Sequence, residues 1–181
     1  MEHNKVIILD RDGVINVNSD SYIKSIDELT LIPGSINAIS LLSQAGFLIF
    51  VVSNQSAIGR GLTTKSNVDI INNTISSMVR KENGILDNFY ICPHEPKDEC
   101  ECRKPKPGML LQIEKDFSLN LKKSIFIGDA ISDIKLAIDY GLCPILVRTG
   151  HGPSTEKESI INENIPIFNN LFDAVKNYII Q

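Results

Sequence analysis

Val6-Ile7-Ile8-Leu9-Asp10-Arg11-Asp12-Gly13-Val14 sets four consecutive apolar residues directly before two carboxylates placed one residue apart. An apolar run without polar alternation predicts a strand covered on both faces, as in a parallel sheet. Ligands in such sheets bind beyond the carboxyl ends of the strands, which is where Asp10 and Asp12 fall. Asp and Gly also form turns for backbone reasons alone, so this stretch needs support from the rest of the chain.

Further apolar runs at 48–52, 89–92, 125–127 and 145–147 alternate with helical periodicity, which predicts a mainly parallel sheet flanked by helices. Pro33-Gly34 opens a helix with Ile36, Ile39, Leu42 and Ala45 on one face, and Gly46 closes it. Other helices are expected over 64–81, 108–116, 132–140 and 171–179, with a polar surface loop over 150–159 and a last short strand near 165–168. At 181 residues, 43% hydrophobic and 22% charged, the chain suits one core and a single α/β domain over 1–181. A net charge of -4 gives no general reason to expect nucleic-acid binding, and no run is long enough to span a bilayer. Residues 1–5 lack the regions of a secretory signal, so a cytoplasmic location is expected.

Two other strand ends carry polar groups: Ser53-Asn54-Gln55-Ser56, and Gly128-Asp129 with Asp133 four residues on. In a parallel sheet Asp10, Asp12, Ser53 and Asp129 would converge on one edge. Carboxylates gathered there repel unless a cation neutralises them, and magnesium does so with oxygen ligands and substrate phosphate in its shell. Arg103 and Lys104 would add the positive charge that a phosphoryl group needs. Singly, these residues could be a helix cap, a solvated turn and surface charge; together they would require matching coincidences at equivalent positions.

Asp10-x-Asp12-Gly13-Val14, the Ser53 strand end, Lys104 and Gly128-Asp129-x-x-x-Asp133 resemble the four motifs of the haloacid dehalogenase superfamily. The resemblance spans most of the chain and implies a phosphotransferase on a Rossmann-like sheet. Asp10 is then the nucleophile, Asp12 the general acid and base, and both touch magnesium, Asp12 through its backbone carbonyl. Ser53, Arg103 and Lys104 would hold the phosphoryl oxygens.

Cys92-x-His94-x5-Cys100-x-Cys102 offers three thiols and an imidazole within eleven residues, the ligand set of a closed, structural zinc site. Such a zinc would pin the loop leading into Arg103-Lys104. Cys143 stands apart and is expected to pack as a small apolar residue.

A zinc loop in this place narrows the resemblance to a subgroup of heptose bisphosphate phosphatases and related histidinol phosphatases. The former is favoured by Asn54-Gln55-Ser56-Ala57-Ile58-Gly59-Arg60-Gly61, Lys106-Pro107-Gly108 and Arg148-Thr149-Gly150; the latter by the five-residue spacer before Cys100. The heptose reading implies removal of the 7-phosphate of a heptose 1,7-bisphosphate in nucleotide-heptose biosynthesis for surface polysaccharide. It adds Arg11, Asn18, Asp20, Ser21, Tyr22, Asn54, Gln55, Ser56 and Arg60 as substrate contacts. Arg60, Arg103, Lys104 and Lys106 suit a bisphosphate, whereas Glu95, Asp98, Glu99 and Glu101 would suit the amine of histidinol phosphate unless they merely face solvent. Ala130 departs from the Lys often found after the fourth-motif Asp. Only about forty residues separate Asp12 from Ser53, too few for a large cap, so an open pocket and a monomer are expected. A non-catalytic binding protein on the same fold is the remaining alternative, although it would have no need of the second carboxylate.

Overall fold

The computed structural model describes residues 5–180, so the reading of the first four residues lies outside it. The elements run β1 (Val6–Leu9), α1 (Ser35–Gln44), β2 (Leu48–Asn54), a one-turn α2 (Ser56–Gly59), α3 (Lys65–Lys81) and β3 (Asn88–Cys92). They continue with α4 (Gly108–Phe117), β4 (Ile125–Gly128), α5 (Ile131–Tyr140), β5 (Cys143–Val147), a short α6 (Gly152–Thr155), β6 (Ile167–Phe168) and α7 (Leu171–Ala174), which leads into a π-helical turn, Val175–Ile179. The strands form one parallel sheet in the order β3-β2-β1-β4-β5-β6.

The apolar runs are continuous because both faces of the sheet are covered. Ile7 and Leu9 point with Ile49, Val51 and Ile127 toward α1, α3 and α7, while Val6 and Ile8 join Phe50, Val52 and Phe126 against α4 and α5. Thr64 caps α3, its side chain accepting the Asn67 N–H, a contact worth about 1 kcal/mol. Among the described residues no large cap domain interrupts the segment between Asp12 and Ser53; a 3₁₀ turn at Ile26–Glu28 and α1 fill it. No helix of the described residues is long and apolar enough to cross a membrane.

β2 ends within the expected polar stretch, at Asn54, which still pairs with Cys92 of β3. Other local expectations change. The stretch expected as a bare loop contains α6, started by Pro153 in its first turn, where a fixed φ favours helix. Cys143 is exposed rather than packed, since it opens β5 at the sheet edge opposite the strand ends that carry the carboxylates.

Candidate active site and metal centres

The strand order reverses direction between β1 and β4, and the loops leaving their carboxyl ends diverge there to leave a crevice. Asp10 sits in it, its N–H donated to Ile127 O of β4 at 3.0 Å. Its Oδ1 accepts the Arg11 N–H at 2.6 Å and meets Lys104 Nζ at 2.9 Å. Lys104, 4% exposed, also reaches Asp133 Oδ1 at 2.7 Å and donates to Val52 O at 2.9 Å. Burial works against its proton, but the Asp10 and Asp133 carboxylates more than reverse this and keep the amine charged. Asp133 accepts the Ala130 N–H through its other oxygen at 3.1 Å, so one side chain closes the start of α5 and orients the lysine. The Gly-Asp-x-x-x-Asp spacing brings Asp133 to this place, although the sequence reading gave it no role.

Asp129 faces Asp10 and Asp133 across a carboxylate cluster whose oxygens lie within 4.8 Å of one another. Gly13 permits the approach, since a Cβ there would sit 2.2 Å from Asp129 Oδ2 and its φ is +87°. Asp129 Oδ2 accepts the His151 N–H at 2.6 Å, while the fully buried Oδ1 has no hydrogen-bond partner. Burial, reinforced by Asp133, pushes the Asp129 carboxyl up to about 7. Burial also raises Asp10 well above the ordinary range, with Lys104 opposing and Asp133 and Asp129 adding to the rise. An orphaned buried oxygen among crowded carboxylates fits a hard divalent cation, which would supply the missing partner and relieve the repulsion.

Asp12 lies outside that cluster, its carboxylate turned toward Arg11, Asn16 and Gln55. Burial raises this carboxyl, but Arg11 and the two amides outweigh the effect and hold it below its usual value. Its side chain therefore stands apart from the Asp10, Asp129 and Asp133 cluster. Arg11 is a correction. It was expected to contact substrate, yet it is fully buried, with Nη2 3.0 Å from both Asp12 Oδ2 and Gln55 Oε1 and Nη1 3.2 Å from Asn72 Oδ1. Each of its three nitrogens is engaged by a side chain of the protein.

A cavity of about 340 Å³ opens above these groups and is lined by Asp10, Asp12, Ser53, Arg103, Lys104 and Asp129. Of the expected substrate contacts, Asn18, Asp20, Tyr22, Asn54, Gln55 and Ser56 also line it. Gln55 Nε2 donates to Asp12 Oδ2 at 2.6 Å and to Ser53 Oγ at 2.7 Å, tying two strand ends together. Asn54 grips the Lys104 backbone from both sides, accepting its N–H at 3.0 Å and donating to its O at 3.2 Å. Two expectations fail. Ser21 faces an adjoining groove with Lys24 and Glu28, and Arg60 pairs with Glu95 at 3.2 Å outside the cavity. Lys106 likewise pairs with Glu101, at 3.0 Å. Ser19, Ile23, Ser132 and His151 line the cavity without having been singled out, and the position of His151 after the fifth strand was the signal available.

Beyond β3 the four soft ligands come together. Cys92 Sγ lies 3.2 Å from Cys102 Sγ and 3.5 Å from Cys100 Sγ, and His94 Nδ1 is 3.2 Å from Cys102 Sγ and 3.7 Å from Cys92 Sγ. Metal–sulfur bonds of about 2.3 Å in a tetrahedron give ligand separations of roughly 3.5–3.8 Å, so the cluster fits zinc after a few tenths of an ångström of expansion. Burial pushes the Cys92 thiol up to about 12. Burial also works against Cys100 ionising, but donors from Cys92, Cys102 and the backbone bring it down to about 7. A metal ion would hold all three as thiolates.

A family model described as HAD-hydrolase-like matches residues 101–174. A D-glycero-beta-D-manno-heptose-1,7-bisphosphate 7-phosphatase of Pseudomonas putida is 41% identical over 167 residues, covering 92% of this chain and 95% of its own. That of Pseudomonas aeruginosa is 45% identical, covering 83% of this chain and 84% of its own. A crystal structure of D,D-heptose 1,7-bisphosphate phosphatase from Bordetella bronchiseptica, complexed with magnesium and phosphate, superposes with a TM-score of 0.91 at 36% identity, over 96% of this chain and 97% of that one. With the carboxylate crevice and the zinc-type loop both in place, the chain belongs to the HAD-like phosphatases, in the heptose-1,7-bisphosphate 7-phosphatase family.

Proposed function

We propose that the protein removes the 7-phosphate of D-glycero-β-D-manno-heptose 1,7-bisphosphate, acting as a monomeric, single-domain cytoplasmic enzyme of nucleotide-heptose synthesis. The names of its relatives support this reading, and one observation favours it over histidinol phosphate. Glu95 is paired with Arg60 and Lys97, Asp98 bonds the Glu95 N–H, and Glu101 is paired with Lys106. Three of the four zinc-loop carboxylates are thus engaged by neighbours, and none of the four lines the reaction cavity, whereas Arg103 does. A second phosphate finds a cation there; an ammonium group finds no zinc-loop carboxylate facing it.

Asp10 Oδ2 attacks phosphorus in line with the leaving oxygen, forming an aspartyl-phosphate as the P–O bond to the sugar breaks. Asp12 gives the leaving alkoxide a proton, then takes one from the water that hydrolyses the acyl phosphate and regenerates Asp10. Lys104 and the Ser53 hydroxyl hold the phosphoryl oxygens through both steps. Magnesium, held by the Asp10 and Asp129 carboxylates and the Asp12 carbonyl, would add the positive charge that offsets the phosphate and lets Asp10 ionise. Zinc would be held by Cys92, His94, Cys100 and Cys102 and would fix the loop.

The test compares kcat/KM for both heptose bisphosphate anomers and histidinol phosphate with magnesium. The β anomer should lead by at least about tenfold, and preference for histidinol phosphate would overturn the substrate. In the same assay Asp10→Asn should lower kcat by about a thousandfold or more while remaining folded.

A further inference from the structure

His151 bridges two loops that belong to different ends of the crevice. Asn18 Nδ2 donates to His151 Nε2 at 2.8 Å, linking the loop after β1 to the loop after β5. Because an amide nitrogen only donates, this contact leaves the imidazole hydrogen on Nδ1. Two cavities meet at the bridge. Asn18, Asp20 and His151 line the reaction cavity of about 340 Å³ and also a neighbouring one of about 520 Å³, whose other lining includes Val17, Ile32 and Pro33.

Both partners stand on anchored backbone. The His151 N–H is held by Asp129 Oδ2 at 2.6 Å, and Thr149 Oγ1 donates to Gly13 O at 2.5 Å. Gly150 between them has φ +57° and fits so closely that a Cβ would lie 2.1 Å from Asp129 Oδ2 and 2.7 Å from Gly13 Cα. On the other side, the Val17 N–H donates to Thr30 O at 2.8 Å and Val17 O accepts from Asn16 Nδ2 at 3.0 Å. Little conformational entropy remains to be lost when the two side chains meet, so an exposed hydrogen bond can persist here.

We propose that the Asn18–His151 bridge is a specificity-determining wall that ends the reaction cavity and limits the length of the phosphate ester it admits. This rests on the phosphatase reading of the site, not on the identity of the sugar. Short polar esters fit within the wall; longer esters with an apolar end need the bridge open, so that the end can lie on Val17, Ile32 and Pro33. Since the main-chain amide of His151 also holds Asp129, the wall stays in register with the metal centre.

Dissociation constants for phenylphosphonate and biphenyl-4-phosphonate, measured by calorimetry with magnesium, test this without turnover. His151→Ala and Asn18→Ala should each shift the ratio in favour of the longer phosphonate by about fivefold. The double variant should shift it no further, since one contact is lost either way. His151→Gln, which can still accept from Asn18, should stay within about twofold of the parent. Magnesium affinity without phosphonate should be unchanged in His151→Ala, because the amide on Asp129 remains. An unchanged ratio in both single variants, additive shifts, or failure of every form to bind either phosphonate would overturn the wall. A shifted ratio in a protein that ignores heptose bisphosphate would overturn only the sugar assignment.

Discussion

Arg11 shows how a charge beside the proposed acid–base group can act through that group alone. Its guanidinium is fully buried against Asp12, and breaking a buried pair by removing one partner leaves the other charge uncompensated. Arg11→Ala should cost about 3 kcal/mol in urea unfolding. It should also move the basic limb of the kcat/KM profile to higher pH, because Asp12 must carry a proton to act as the acid of the first step and Arg11 is what holds its carboxyl below the usual value. A profile that stays in place would separate Arg11 from the acid–base role. Asp129 makes the opposite case, with its carboxyl raised from 3.8 to about 7. The metal-free fold retains this proton where the unfolded chain has lost it, so the contribution of Asp129 to stability is greatest at low pH and is lost as pH rises through about 7. Magnesium must displace the proton, so its affinity should rise about tenfold per pH unit below 7 and level off above it. Calorimetry in buffers of different ionisation enthalpy would show the proton released, and a pH-independent affinity would refute the linkage.

The loop from Cys92 to Lys104 ties the thiol and imidazole cluster to the cations of the cavity. Its exit is gripped at the Lys104 backbone by Asn54, and its Arg103 guanidinium donates to His94 O at 3.3 Å, so these cations are set partly by β2 and partly by the proposed zinc ligands. Removing the metal should lower Tm by about 5–10 °C and reduce kcat/KM. Cys100→Ser should reproduce both effects, while Cys143→Ser, exposed at the far edge of the sheet, should change neither. Elemental analysis alongside thermal melts checks this, and a Cys100→Ser protein with unchanged zinc and Tm would remove the cluster from the account. The clustering of these ligands was legible from their spacing. The capture of the loop by Asn54 was not, because it joins residues fifty positions apart.

Taken as a whole, the molecule brings five loops to one edge by running every paired strand in the same direction. Its two apolar layers fix the height at which those loops emerge, since alternate residues of each strand lock into opposite layers. Phe126, fully buried in the layer under α4 and α5, packs beneath Lys104 with Nζ 6.0 Å from its ring centre. Phe126→Ala should cost about 3–5 kcal/mol and leave a cavity below the lysine. Urea unfolding gives the first quantity, and a loss below about 1 kcal/mol would mean the two layers do not act as a rigid support.

What could be read from the chain alone was whatever depends on local order. Apolar runs gave the strands, Pro33-Gly34 and Thr64 the helix starts, and the soft-ligand spacing the zinc-type loop. The carboxylates could be assigned to strand ends for the same reason, because side chains just beyond a buried parallel strand must emerge at the sheet edge. Tertiary structure alone decided which way each polar side chain turned. Arg11 lies within the first motif and Tyr22 follows it, yet one is sealed among Asp12, Gln55 and Asn72 and the other lines the cavity. Arg60 was drawn off by Glu95, and His151 entered the site from the fifth strand. Such outcomes depend on partners distant in sequence, and a buried charge takes the arrangement that satisfies its hydrogen bonds, which becomes defined only when the sheet brings those partners together.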